Sequence, residues 1–216
     1  MHIPDGLLSP QTFLPAFALA VPAWWWAIRR ARRQLDDSLL PRLAVFTAVA
    51  FVLSTLMLPL PGGTSGHALG VALLALCFGV PLAFLAYTLV LVLQALALGA
   101  GGLTALPVNA LCMGLVGALV ATGAYRLFAG LHAPGAVVLA TWLSVMVSAT
   151  LVALVLGMQP LIAQDATGGP LFFPFGPAVT LPAILLPHAV LAVGEAALTL
   201  LVWRHARRRH WFTHPA

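Results

Sequence analysis

Long apolar runs fill most of this sequence and leave little charge with which to cover a water-soluble surface. Hydrophobic residues make up 62% of the 216 residues and charged residues only 7%, whereas a soluble domain carries about 25% charged residues. Glycine, proline and charge divide the runs into seven segments, roughly 11–29, 41–60, 67–79, 81–98, 105–128, 134–157 and 176–203. We therefore predict an all-α membrane protein, a single domain over 1–216 with about seven transmembrane helices.

The third segment, 67–79, is short for a full crossing, and the fourth follows it almost at once. We interpret the two as a tight helical hairpin. One long kinked helix is the alternative, and it would leave six spans. The basic residues favour seven spans, because every arginine cluster then falls on one side of the membrane. All ten basic residues are arginines, at positions 29, 30, 32, 33, 42, 126, 204, 207, 208 and 209.

The same arginines predict the orientation of the chain. Positive charge accumulates in cytoplasmic loops, so the N-terminus is expected outside and the C-terminus in the cytoplasm. We predict a multi-pass protein of the inner (cell) membrane with a basic cytoplasmic tail at 204–216. Because the charge lies beside apolar spans, it does not indicate nucleic-acid binding. Met1 and the loops 61–67, 99–104 and 158–175 are all expected on the outer face.

The first two residues carry the donors of a metal chelate. The amine of Met1, the amide nitrogen that joins it to His2 and one ring nitrogen of His2 can close two fused rings once the amide loses its proton. His67, at the outer mouth of the third segment, is the obvious fourth donor. Tetragonal nitrogen coordination indicates Ni(II) or Cu(II) rather than zinc. A turn at Asp5-Gly6 can fold the N-terminal tail, residues 1–10, back into the bundle.

Each of these histidines also has a plainer interpretation, as an interfacial or hydrogen-bonding residue, and spacing alone leaves both interpretations open. The same holds for other polar groups within the apolar segments. They either tie helices together or lie near the metal. These residues are Gln94, Asn109, His188 and Glu195.

Several short motifs along nearly the whole sequence match a known pattern. The first is Met1-His2-Ile3-Pro4-Asp5-Gly6-Leu7-Leu8-Ser9, and the second is Gly62-Gly63-Thr64-Ser65-Gly66-His67. The others are LVLQAL at 91–96, GGLTAL at 101–106, Asn109 with Met113-Gly114, and His188 with Gly194-Glu195-Ala196. Together they resemble the cobalt/nickel permease family of the CbiM/NikM type.

This resemblance implies a substrate-binding (S) component of an energy-coupling-factor ABC transporter, with Met1, His2 and His67 as metal ligands and Ni(II) or Co(II) as transported substrate. It implies partner chains as well: a transmembrane coupling subunit, two ATPase subunits and room for a small accessory membrane subunit. The chain is expected not to be an enzyme. It has no lysine and no Gly-x-x-x-x-Gly-Lys-Ser/Thr motif, so ATP hydrolysis is expected on the separate subunits.

The sequence departs from the family at two positions, and two rival functions stay open. Ala100 stands where a histidine or an acidic residue is frequent, and Cys112 where an asparagine is common, so gating and the hydrogen bonds around the metal can differ. One rival is an S component for an organic solute. The other is a rhomboid-like intramembrane serine protease with Ser65 as nucleophile and His188 as base.

Overall fold

Seven helices account for the seven apolar segments. The computed structural model of the chain describes residues 1–60, 64–209 and 211, without the side chains of residues 60, 64, 65 and 131. The helices are α1 (Pro10–Ala31), α2 (Leu39–Thr55), α3 (Val71–Phe78), α4 (Val80–Leu98), α5 (Leu106–Gly130), α6 (His132–Ile162) and α7 (Pro177–Arg208). The predicted all-α architecture is confirmed. A short antiparallel hairpin between β1 (Leu58–Leu60) and β2 (Thr64–Gly66) is an addition. The segment predicted as helix over 41–60 was therefore wrong for its last residues, since α2 ends at Thr55.

Length and composition separate the helices into two groups. Four of them, α4 to α7, are long and apolar enough to cross a membrane. Helix α3 has only eight residues, about 12 Å at 1.5 Å per residue, against a hydrocarbon core of about 30 Å. All eight are buried against other parts of the protein. Such a short helix is tolerated at membrane depth because protein, not lipid, surrounds it.

The prediction of helix from residue 67 was wrong for the first four residues of that segment. Residues 67–70 are not helical, and α3 begins only at Val71. Gly70 has φ of 75°, a left-handed conformation that favours glycine. The N–H groups of Leu69 and Gly70 donate to the two carboxylate oxygens of Glu195, at 2.8 and 2.7 Å. One side chain of α7 thus provides the hydrogen-bond acceptors for the backbone N–H groups just before α3.

Helices α3 and α4 form the expected hairpin. His67, just before α3, contacts His2, and Leu103, just after α4, bonds to Asp5 of the same N-terminal tail. The start of α3 and the end of α4 therefore lie at the same end of the bundle, and the chain reverses between them at Gly79, which has φ of 81°. The six-span alternative, with one kinked helix in place of this hairpin, is wrong.

The opposite end of the bundle, which we call the arginine end, collects residues from α1, α4, α5 and α7. A cavity of about 590 Å³ there is lined by Arg30, Pro81 and Arg126, among others. Trp203, near the end of α7, packs on Tyr125 with ring centroids 6.1 Å apart. The arginines thus gather on one side, as the seven-span topology predicts. Helix α7 continues to Arg208, so the basic tail predicted from 204 begins as helix.

The close packing at Gly70 generates a stability prediction. A Cβ added there would lie 2.7 Å from the Cβ and 2.9 Å from the Cα of Ala50, in addition to the unfavourable φ. We expect Gly70→Ala to lower the free energy of unfolding by about 1–3 kcal/mol or more. Thermal unfolding in detergent micelles measures this loss.

Gly123→Ala is the matched control, because an added Cβ at that helical glycine meets nothing within 4 Å. Alanine is better than glycine in a helix by about 0.5–1 kcal/mol, so the control is expected to be neutral or stabilising. Equal stability of the two variants would show that the approach of Gly70 to Ala50 does not constrain the fold.

Candidate metal centre

The N-terminal tail lies inside the helix bundle. Met1 and Ile3 are 0% exposed and His2 is 3% exposed. The side chain of Asn109, on α5, pairs with the backbone of Ile3 in both directions: its Oδ1 accepts from the Ile3 N–H at 3.1 Å, and its Nδ2 donates to the Ile3 carbonyl at 3.0 Å. Extended backbone in an apolar interior needs such partners, so Asn109 holds the tail in place.

Asp5 fixes the outer part of the tail to the loop between α4 and α5. Its carboxylate accepts from the N–H groups of Leu103 and Thr104, at 3.0 and 2.8 Å, and from the Thr104 hydroxyl. Burial opposes ionisation, but the hydrogen bonds from Thr104 and Leu103 outweigh it and lower the pKa of Asp5. A Cβ on Gly102 would collide with an Asp5 carboxylate oxygen. Sequence analysis assigned Asp5 to a turn but missed this contact.

The tail brings two imidazoles together. The rings of His2 and His67 have centroids 4.1 Å apart and planes inclined by 33°. Nδ1 of His67 lies 2.9 Å from the Ala68 carbonyl oxygen, and because a carbonyl only accepts, this nitrogen carries the proton and Nε2 carries the lone pair. Within the described part of the chain, neither ring nitrogen of His2 nor Nε2 of His67 has a hydrogen-bond partner.

The N-terminal donors are uncharged at neutral pH. Burial lowers the pKa of the Met1 amine to about 4. Burial, followed by the charge of that amine, lowers the pKa of His2 to about 3. Metals bind nitrogen donors in the deprotonated form, which these lowered pKa values favour.

Side chains alone do not make a metal site here. Among residues 1–60, 64–209 and 211, no three His, Cys, Asp or Glu side chains are grouped so that they could hold an ion. Main-chain nitrogens beside the His2–His67 pair are the further donors that the sequence analysis named. The Met1 amine and the amide of His2 are the main-chain donors that the sequence predicts, and the structure buries both residues with His67.

Of the four other polar residues that the sequence analysis singled out, three tie segments of the chain together and His188 keeps one ring nitrogen without a described partner. Asn109 and Glu195 bind non-helical backbone, as described above, and Gln94 on α4 donates to the Ser54 hydroxyl on α2 at 2.7 Å. His188 is 0% exposed. It bonds through Nδ1 to its own helix, at the Ile184 carbonyl, and its Nε2 has no partner among the described residues. His188 lies within electrostatic reach of His67 and the Met1 amine.

The serine-protease alternative gains no support from this arrangement. It needs the Ser65 hydroxyl within hydrogen-bond reach of the His188 imidazole, and the side chain of Ser65 lies outside the described residues, as do Gly62 and Gly63 of the same motif. The one hydrogen bond described for the His188 imidazole is to its own helix.

Comparison with known proteins finds proteins that are named for metal uptake or transport. The sequence profile described as "CbiM: Cobalt uptake substrate-specific transmembrane region" matches residues 2–211. The fused nickel transport protein NikMN of Rhodobacter capsulatus is 39% identical over 89% of this chain and 57% of its own length. A probable fused nickel transport protein, LarMN of Lactiplantibacillus plantarum, is 37% identical over 96% of this chain and 65% of its own length. The chain thus spans less than two thirds of these two relatives.

Further similarity covers most of both chains. The cobalt transport protein CbiM of Salmonella typhimurium is 31% identical over 99% of this chain and 86% of its own length. The crystal structure of a truncated transition metal transporter superposes with a TM-score of 0.92 at 36% identity, covering 97% of this chain and 99% of that one. This chain therefore belongs to the CbiM family of substrate-specific transmembrane regions for cobalt uptake.

Proposed function

We propose that the chain is the substrate-binding membrane subunit of a transporter that takes up Ni(II) or Co(II). The observation that carries the proposal is the buried pair of imidazoles, His2 and His67, with ring centroids 4.1 Å apart and three ring nitrogens free of partners in the described residues. The printed names of the relatives, which concern nickel and cobalt transport, support this choice of ions. They leave the organic-solute alternative without an observation in its favour.

The proposed ligands are the Met1 amine, the amide and one ring nitrogen of His2, and Nε2 of His67. These four nitrogens suit the square-planar geometry that Ni(II) adopts with a deprotonated amide, and Co(II) can use the same donors. Affinity for such nitrogen sites rises from cobalt to nickel. We therefore expect tighter binding of Ni(II) to the isolated chain, whichever ion the complete transporter delivers.

The proposed assembly is of the energy-coupling-factor type, in the inner membrane, with the metal site facing outward and the arginine end facing the cytoplasm. Gathering of arginines at one end supports this orientation. The chain contains no lysine and no phosphate-binding Gly-x-x-x-x-Gly-Lys motif. A transmembrane coupling subunit and two ATPase subunits, with any small accessory subunit, are therefore proposed as separate chains that supply the energy for transport.

The role of the free amine is tested by extending the chain. Two alanines added before Met1 move the amine away from His2 and place the histidine fourth in the chain, where the fused terminal chelate cannot form. We expect nickel affinity, measured by isothermal titration on purified protein, to fall by more than about a hundredfold. Intact-mass measurement verifies the first residue of each sample.

Three histidine variants complete this experiment. His2→Ala and His67→Ala are expected to lose affinity in the same way, whereas His205→Ala, which removes an exposed histidine at the arginine end, is expected to bind nickel like the wild type. Undiminished binding by the extended chain would rule out the terminal chelate.

Acidification is expected to weaken metal binding. The amide nitrogen of His2 must release its proton to the solvent when the metal binds, so protons compete with the ion for that ligand. Below neutral pH, each unit of acidification should lower the apparent affinity by up to about tenfold. Titrations over a series of pH values measure the slope, and affinity that does not change with pH would exclude the amide as a ligand.

The burial of the N-terminal tail can be measured through the chemical reactivity of the Met1 amine. Asn109→Ala leaves both backbone groups of Ile3 without their partner, at a cost of about 1–3 kcal/mol for each group that stays buried. We expect faster reaction of the Met1 amine with an amine-directed reagent and a nickel affinity reduced roughly ten- to a hundredfold. Because the sequence has no lysine, that amine is the protein's one primary amine, and mass spectrometry reads its labelling directly.

Gln94→Ala is the matched control for Asn109→Ala. It removes a buried amide of the same chemistry that ties α4 to α2 through Ser54 and does not touch the tail. Labelling and affinity should stay at wild-type values. If Asn109→Ala behaved like this control, the tail would not depend on Asn109.

A further inference from the structure

The proposed metal site leaves an uncompensated charge inside the bundle. A divalent ion bound to one deprotonated amide, a neutral amine and two neutral imidazoles carries a net charge of +1. A single charge in an apolar interior is strongly unfavourable unless an opposite charge lies near it. The protein therefore needs a negative group close to the ligands.

Glu195 is the one buried acidic residue in the sequence, so its charge is the least screened by solvent. The chain has five acidic residues, and Glu195, on α7, is 4% exposed. The remaining four are all exposed to solvent: Asp5, Asp36, Asp37 and Asp165. Ionisable residues buried within a membrane bundle are costly and serve a partner or a pathway.

The contacts of Glu195 bring its carboxylate close to the metal ligands. It accepts from the N–H groups of Leu69 and Gly70, which follow His67 by two and three residues. Backbone dimensions then limit the distance from the carboxylate to the Cα of His67 to about 9 Å. Each carboxylate oxygen has one of these N–H donors, so the carboxylate is held in a fixed position beside the segment that carries His67.

We infer that the Glu195 carboxylate is the counter-charge of the loaded metal site and that it contributes directly to metal affinity. This inference rests on the proposed function. With Glu195 ionised, the +1 charge of the metal and its ligands is balanced within the bundle, and a divalent ion is preferred over an ion of higher charge. Glu195 is thus an electrostatic and positioning residue, not a ligand.

Two variants separate the charge of Glu195 from its shape. Glu195→Gln keeps the shape and removes the charge, whereas Glu195→Asp keeps the charge and shortens the side chain. If the charge matters, we expect Glu195→Gln to weaken nickel binding by roughly tenfold or more, with Glu195→Asp binding more tightly than Glu195→Gln. Asp165→Asn, which removes an exposed acidic charge, is the control and should bind like the wild type.

The reverse order, with Glu195→Asp weaker than Glu195→Gln, would show that Glu195 acts only by holding the His67 segment. Wild-type affinity in Glu195→Gln would also overturn the inference while leaving the proposed function intact. Failure of the wild type to bind either Ni(II) or Co(II) would instead contradict the proposed function itself.

A second measurement needs no variant. Glu195 is the only glutamate in the sequence, so isotope-labelled glutamate gives an infrared signal from this one side chain. In the nickel-loaded wild type we expect the bands of an ionised carboxylate. A protonated carboxylic acid in the loaded protein would overturn the inference.

Discussion

Two pieces of non-helical backbone lie inside an apolar helix bundle, and each depends on a side chain from a neighbouring helix for its hydrogen bonds. Asn109 pairs with the backbone of Ile3 in the N-terminal tail. Glu195 accepts from the two N–H groups that precede α3. Unpaired backbone groups are very unfavourable where water is absent, so these contacts decide where both segments lie. His2 and His67 meet because both segments are anchored.

This arrangement buries the chain terminus, which is the basis for proposing that the Met1 amine is a metal ligand. An N-terminal amine is normally solvated and protonated, but here burial lowers the pKa of the Met1 amine to about 4 and leaves a neutral donor. Gly101-Gly102 and Asp5 bring the loop after α4 against the tail on either side of the segment between His2 and Asp5. Fixing the tail before metal arrives reduces the ordering cost of binding.

The sequence predicted the helices and the meeting of His2 with His67 well, because apolar length, arginine position and the N-terminal motif each depend on local chemistry. It did not predict that residues 67–70 are non-helical, since this rests on Glu195, more than a hundred residues away. For the same reason, the sequence alone could not decide whether Asn109 and Glu195 tie segments of the chain together or lie near the metal. The partner of Asp5 was missed, although the adjacent Gly-Gly pair was a signal of close backbone approach.

The central claim is that main-chain nitrogen from Met1 and His2 joins two imidazoles around the transported ion. X-ray absorption at the nickel edge of the loaded protein tests it most directly. We predict four nitrogen neighbours, two of them imidazoles, and the pre-edge feature of a square-planar ion. A six-coordinate shell rich in oxygen, or a single imidazole, would contradict the claim.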